Sequence, residues 1–251
     1  MKKLSFLALA VFALSFYSCN VEPVDPAALA NAANNPGGGG NGGGGGNGST
    51  GDYYPAALNN QWRYKTNGVL DADPMKIVQV VNTGGVTVFK FNPQNPTTSL
   101  GNTSSTTLSL KKINGDYIYI VDGTTVGAGT PTGYTATGFE YTILKDYLNV
   151  GQTWTGTYSQ VINYNDPNFP DITQVANYTG EILGKDLTIT VNGQTYPNVI
   201  HMKLSQEYTI LGMPIGATET EVWYAKNVGP VKSELLGLTS YTKELDSYIL
   251  N

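Results

Sequence analysis

Cysteine and histidine are almost missing from this chain, with one of each among 251 residues, Cys19 and His201. No internal disulfide can form, and zinc centres built on two or three histidines are excluded. A serine hydrolase of the triad type would have to use His201, yet no Gly-x-Ser-x-Gly elbow accompanies it. Alternation along residues 199–208 puts His201 on the polar face of a strand, where an imidazole is ordinarily a surface group. Charge is scarce too: 13% of residues are Asp, Glu, Lys or Arg, and the net charge is −5. An acidic chain without a basic stripe does not suit nucleic acid. Beyond the first twenty residues no segment carries a long helical period, which argues against an α-rich fold.

What is present begins at the N-terminus. Lys2 and Lys3 precede an apolar run over residues 4–16, which gives way to Ser18 and Cys19. A basic start, a short apolar stretch and a small residue before the cut make a secretory signal. The run is shorter than the ~20 residues of a membrane-spanning helix, and polar, proline-containing sequence follows it. The segment resembles a bacterial lipoprotein signal, in which the cysteine thiol is diacylated and becomes the new N-terminus. Leu14 and Ser18 fit that pattern, and Phe16 stands where an aliphatic residue is usual. A plain secreted protein is the alternative, but a leftover free thiol is a liability in an oxidising compartment. Residues 1–18 are therefore expected to be removed and Cys19 to be lipidated, anchoring the protein to a membrane.

Residues 19–51 read as a tether. Asp25-Pro26 can start at most a short Ala-rich turn, and residues 37–48 are glycine broken only by Asn41 and Asn47. Such a segment buries no apolar surface to offset the entropy of ordering it. It is not a phosphate loop, since no strand precedes the glycines and no Lys-Ser or Lys-Thr follows them. Residues 52–251 remain, about 200 residues, a size that suits one all-β domain.

That domain alternates strands and turns. Runs at 75–81 and 86–91 flank Asn82-Thr83-Gly84-Gly85, runs at 106–113 and 116–122 flank Asn114-Gly115, and runs at 188–191 and 195–208 flank Asn192-Gly193. Asn-Gly between β-branched runs is a hairpin signal, because both central residues of the favoured turn need positive φ. Further strands are expected at 139–144, 153–164, 172–183, 219–225, 231–235 and 240–250, with the Thr/Ser/Gly/Pro-rich stretches 92–107 and 123–138 as long loops. The expected fold is all-β, a single antiparallel meander of about ten strands forming a strongly curved sheet, half-barrel or barrel. Ile200, Met202 and Leu204 share the buried face of one strand. Tyr117, Tyr119 and Val121 oppose Ile118 and Ile120, so both faces of that strand need cover. Leu58-Asn59-Asn60-Gln61-Trp62 and Leu148-Asn149-Val150-Gly151-Gln152-Thr153-Trp154 read as two turn-plus-strand devices that seat a tryptophan in the core. Trp223 is expected in the core as well.

Trp223-Tyr224-Ala225-Lys226, Val228-Gly229 and Val231-Lys232-Ser233-Glu234, with Tyr54-Pro55, Leu58, Trp62 and Tyr64 earlier, resemble uncharacterised cell-envelope lipoproteins of the Bacteroidota. The resemblance implies a curved antiparallel sheet akin to lipoprotein-carrier half-barrels. Asn60 and Pro230 stand where those relatives would carry small or aliphatic residues. The shared motifs are structural and carry over no catalytic residue.

Carboxylate pairs occur at Asp71/Asp73, Asp166/Asp171 and Glu219/Glu221. Glycoside hydrolysis needs two facing carboxyls, which spacing alone does not show. The loops around Asp71 and Asp166 offer oxygen ligands for calcium, although ordinary solvated turns hold the same residues. No catalytic residue, cofactor or metal site is assigned. The leading expectation is a noncatalytic envelope lipoprotein, placed in the outer membrane by the lipoprotein resemblance, that holds an apolar or amphiphilic ligand in its curved sheet. The alternative is a surface protein-interaction or assembly module, favoured by 17 tyrosines and long exposed loops. A hydrolase comes third. Glu22 and Asp25 resemble the acidic export signals of Bacteroidota surface lipoproteins, so periplasmic and outward orientations both stay open.

Overall fold

The computed structural model describes residues 49–99, 102–236 and 240–251, so the signal, Cys19 and residues 20–48 of the tether lie outside the described residues. Seventeen strands form among the described residues. The first eight are β1 (Gln61–Thr66), β2 (Val69–Leu70), β3 (Met75–Thr83), β4 (Val86–Phe91), β5 (Gln94–Ser99), β6 (Asn102–Thr106), β7 (Leu108–Ile113) and β8 (Asp116–Val121). There follow β9 (Thr124–Val126), β10 (Tyr134–Ala136), β11 (Phe139–Lys145), β12 (Thr153–Tyr164) and β13 (Ile172–Val191). The last four are β14 (Gln194–Ile210), β15 (Met213–Ala225), β16 (Gly229–Leu236) and β17 (Tyr241–Ile249).

Fifteen of them make one antiparallel sheet in the order β11-β8-β7-β4-β3-β1-β17-β16-β15-β14-β13-β12-β10-β9, with β2 beside β1, and β5 and β6 form a separate ribbon. The fold class read from the sequence holds. Its strand count was low, because β5, β6, β9 and β10 lie in stretches whose glycine, proline and serine content reads as loop. Moreover β13 runs on to Val191, through register shifts between Ile182 and Ile189 and through Asp186 at φ +55°.

The short turns follow the chemistry of their residues. Asn114-Gly115 sits at φ +51° and +91°, and Asn192-Gly193 at +47° and +82°, the paired positive values of a hairpin turn whose twist matches the strands. Curvature has a local cause at Gly123 and Gly138. A Cβ on Gly123 would lie 2.8 Å from the Ala136 carbonyl oxygen, and one on Gly138 would lie 2.7 Å from that of Val121. The ribbon of β8 and β11 bends at this pair into the ribbon of β9 and β10. Below the bend β8 pairs with β7, and above it β10 pairs with β12. One bent hairpin thus links the two ends of the sheet, which does not close on itself by backbone pairing.

Side chains bridge the remaining gap. Phe139 on β11 stacks on Tyr158 of β12 at 5.1 Å. Trp154 Nε1 donates to the Thr142 carbonyl at 3.1 Å. The result is a cup. One end is filled by buried Tyr53, Tyr54 and Trp62 and by the inward-folded tip of the β13–β14 hairpin, where Val191 and Tyr196 are buried and Asn192 Nδ2 donates to the Leu245 carbonyl at 2.9 Å.

Candidate functional site: a tyrosine-lined inner face

The inner wall follows from strand alternation and register. On β14, Ile200, Met202, Leu204, Gln206 and Tyr208 point inward, all buried. Pairing sets Met202 beside Val222, Leu204 beside Thr220 and Gln206 beside Thr218 of β15. The same rows continue to Ser233 and Leu235 on β16 and to Lys243 and Tyr241 on β17. Across the interior stand Phe89 on β4, Leu110 on β7, Tyr119 on β8 and Tyr141 on β11.

Burial grades along this face. Toward the filled end, Tyr54, Tyr64 and Tyr224 are buried. Tyr54 meets Trp62 edge-on at 5.2 Å and accepts a hydrogen bond from the Tyr119 hydroxyl at 3.0 Å. Toward the open end, Tyr119, Tyr141, Thr218, Thr220, Val222, Ser233, Tyr241 and Lys243 are only half-buried although they point inward. These half-buried side chains leave part of the inner face in contact with solvent.

The chemistry of that face is apolar ring surface with hydroxyl groups. Burial pushes the phenols of Tyr119 and Tyr141 well above their ordinary value, and the neighbouring Tyr241 pushes the same way. They are neutral donors and acceptors at any physiological pH. Tyr208 and Thr218 hydroxyls meet at 3.2 Å, and Gln206 Nε2 donates to the Tyr158 hydroxyl. One ion pair interrupts the pattern: Lys243 Nζ lies 3.0 Å from Asp71 Oδ2 and over the Tyr64 ring, while Thr66 Oγ1 donates to Asp71 Oδ1 at 2.7 Å. Such a surface can take an alkyl or ring body and offer hydroxyls to a polar head.

The residues weighed from the sequence fall elsewhere. His201 lies on the outer face, its ring stacked on Trp223 at 4.1 Å and its Nε2 2.7 Å from Glu221 Oε2. Lys232 Nζ covers the Trp223 ring from 4.8 Å. Trp223 is therefore a half-buried outer residue held between neighbours on β14 and β16, which corrects its expected core placement; register, unseen in sequence, put it opposite His201. Trp62 and Trp154 are buried as expected. Glu219 accepts from Ser205 Oγ at 3.4 Å, so that hydroxyl is not aimed at His201. Asp166 Oδ1 caps its own loop, accepting from the Asn168 backbone N–H at 2.9 Å and side chain at 2.7 Å. Among the described residues no three His, Cys, Asp or Glu side chains are grouped to hold a metal ion. Cys19 lies outside the described residues. Tyr241, Lys243, Thr218 and Thr220 were not singled out from the sequence; alternation of 241, 243 and 245 was the available signal, but facing partners require the register.

The structure is similar to the crystal structure of a candidate lipoprotein from Parabacteroides distasonis, with a TM-score of 0.52 and 13% identity over 79% of this chain and 99% of that one. A candidate exported protein with a YmcC-like fold from Bacteroides fragilis aligns over 80% of this chain and 100% of its own, with 13% identity and a TM-score of 0.46. No protein-family model and no curated protein matches the chain. At this identity the first likeness is one of fold, and it places this chain among curved antiparallel β-sheet proteins that include a candidate lipoprotein of the Bacteroidota.

Proposed function

We propose that this is a noncatalytic lipoprotein of the bacterial cell envelope, anchored through acylated Cys19 and tethered by residues 19–51, that holds an amphiphilic molecule on its inner tyrosine face. The observation that carries the reading is the graded wall: rings buried at the filled end, and half-buried Tyr119, Tyr141 and Tyr241 toward the other end. Burying apolar ligand area there is worth about 25 cal/mol per Å², and the hydroxyls of Thr218, Thr220 and Ser233 orient the polar part. The lipoprotein-type N-terminus and the fold shared with a candidate lipoprotein support envelope placement. We propose the outer membrane as the anchoring membrane, the expectation carried by the resemblance to cell-envelope lipoproteins of the Bacteroidota.

Two measurements test this. Fatty-acid labelling should mark the wild type and vanish in Cys19→Ala; unchanged labelling would remove the anchor. Lipid extraction and fluorescent fatty-acid titration of the full protein should reveal a bound amphiphile, with Tyr119→Ala and Tyr241→Ala each weakening uptake about three- to tenfold. No extracted lipid and no uptake would leave the interaction-module reading in its place, for which the His201–Trp223–Lys232 ladder on the outer face offers a rigid aromatic and charged surface.

A further inference from the structure

Two hairpins at the open end carry bare apolar tips. β14 and β15 turn through Leu211 and Gly212, at φ +52° and +75°. Leu211 is 85% exposed and Met213 62%, with Ile215 exposed beside them. A left-handed conformation costs an ordinary side chain about 1–2 kcal/mol. Where this chain makes the same kind of turn elsewhere, the first position is Asn67, Gly84, Asn114 or Asn192. A leucine in such a strained place, with so little packing inside the chain, points to a use for its side chain outside it.

The neighbouring tip matches it. The register of Gln174 with Ile210 sets the β12–β13 hairpin alongside. There Phe169 is 49% exposed while its ring rests 5.8 Å from that of Tyr164. This tip has its own small core of Ala136 and Ile162, covered by Tyr134, Tyr164 and Ile172. Asn165 Nδ2 ties it to the β9–β10 loop, donating to the carbonyls of Gly127 at 3.2 Å and Thr130 at 2.9 Å. The apolar groups are thus presented on a braced platform.

Charge narrows what they meet. Residues 67–73, 127–133, 165–171 and 211–217 contain no lysine or arginine; their acids are Asp73, Asp166 and Asp171, with Asp71 paired to Lys243. An acid-flanked apolar tip without a base is repelled by an anionic lipid surface and suits a zwitterionic one. The apolar groups also stand on separate protruding tips. A fluid phase buries each independently, whereas a protein partner would need a matching pocket for each. We infer that the β12–β13 and β14–β15 tips dock the open end onto a zwitterionic bilayer, bringing the tyrosine face to the source of its ligand. The ligand half of this statement rests on the amphiphile reading above; the docking half stands on the tips alone.

The test uses the full protein with Leu211→Cys carrying a polarity-sensitive fluorophore, added to phosphatidylcholine vesicles. Val150→Cys, exposed at the opposite end, serves as comparison, and wild type taken through the same labelling reports any signal from Cys19. A blue shift with quenching by spin-labelled lipid at position 211 and neither at 150 is the expected result. The double variant Leu211→Asp, Met213→Asp should slow fatty-acid transfer from vesicles about tenfold or more, while uptake of free fatty acid is unchanged. Water-like emission at 211 with no quenching by spin-labelled lipid overturns the docking. Tip insertion without any fatty-acid uptake upholds docking and removes the amphiphile function. Uptake with the tip in water does the reverse.

Discussion

Two glycines on facing strands carry aromatic rings in place of side chains. Trp154 on β12 pairs with Gly180 on β13, and Gly156 pairs with Tyr178. A Cβ on either glycine would lie inside the opposing ring. The missing Cβ is what lets Trp154 lie flat enough to bond Thr142 across the gap to β11. Gly180→Ala should cost about 1–3 kcal/mol by overpacking, read as a lower denaturant midpoint with unchanged slope. The tryptophans should separate as well. Trp62→Ala, at a fully buried site, should cost about 3–5 kcal/mol; Trp223→Ala, on the half-buried outer face, should cost clearly less. Equal losses at 62 and 223 would contradict their placement on opposite faces of the sheet.

At the scale of elements, one buried carboxylate helps to fasten the segment before β1. Asp146, buried just past β11, accepts from Ser49 Oγ at 2.7 Å, and Tyr117 links the same spot to the Gly51 carbonyl at 3.0 Å. Asn60 makes a second clasp, donating to the Pro55 carbonyl at 3.1 Å and accepting from the Asn251 N–H at 2.8 Å, a use of its amide at a position where relatives were expected to carry small or aliphatic residues. Contacts by residues 49–51 reach back before the expected domain start at Asp52. Burial raises the Asp146 carboxyl above 3.8, and hydrogen bonds from Ser49, Thr50 and Tyr117 only partly offset this. A folded-state value above the unfolded one means the native state is favoured most below pH 3.8 and loses that advantage as pH rises through the raised value. Subtracting the stability curve of Asp146→Asn from that of the wild type should leave a difference that falls with rising pH across this range. A flat or rising difference would show that the carboxylate is not desolvated.

For the whole molecule, nine buried tyrosines stand among the aliphatic side chains of the core in the described residues. Burial raises Tyr54, Tyr64, Tyr158 and Tyr224 well above 10, and Tyr196 to about 12. Unfolded phenols ionise near 10 while these stay neutral, so their contribution is complete below pH 10 and is lost as pH climbs beyond it. Alkaline titration should therefore show some of the 17 tyrosines ionising smoothly and the rest appearing as phenolate in one step, together with loss of β-sheet circular dichroism. Smooth ionisation of all of them with the sheet intact would put the rings outside the core.

Local signals determined much of this protein on their own. Turn residues needing positive φ, such as Asn114-Gly115 and Asn192-Gly193, and the two-residue period of the strand through Met202 belong to neighbouring residues, so the antiparallel class, the hairpins and the inward face of β14 were legible without a structure. The same holds for the expectation of lipidation at Cys19, which rests on a short motif that an enzyme would read unfolded. Pairing between distant strands is different in kind. Which face of β15 holds Trp223, how Gly123 and Gly138 bend one hairpin between two neighbours, and that Tyr119, Tyr141 and Tyr241 share one inner face depend on register and curvature. Those are settled by the summed burial of many side chains over the whole sheet, and only the tertiary structure decides them.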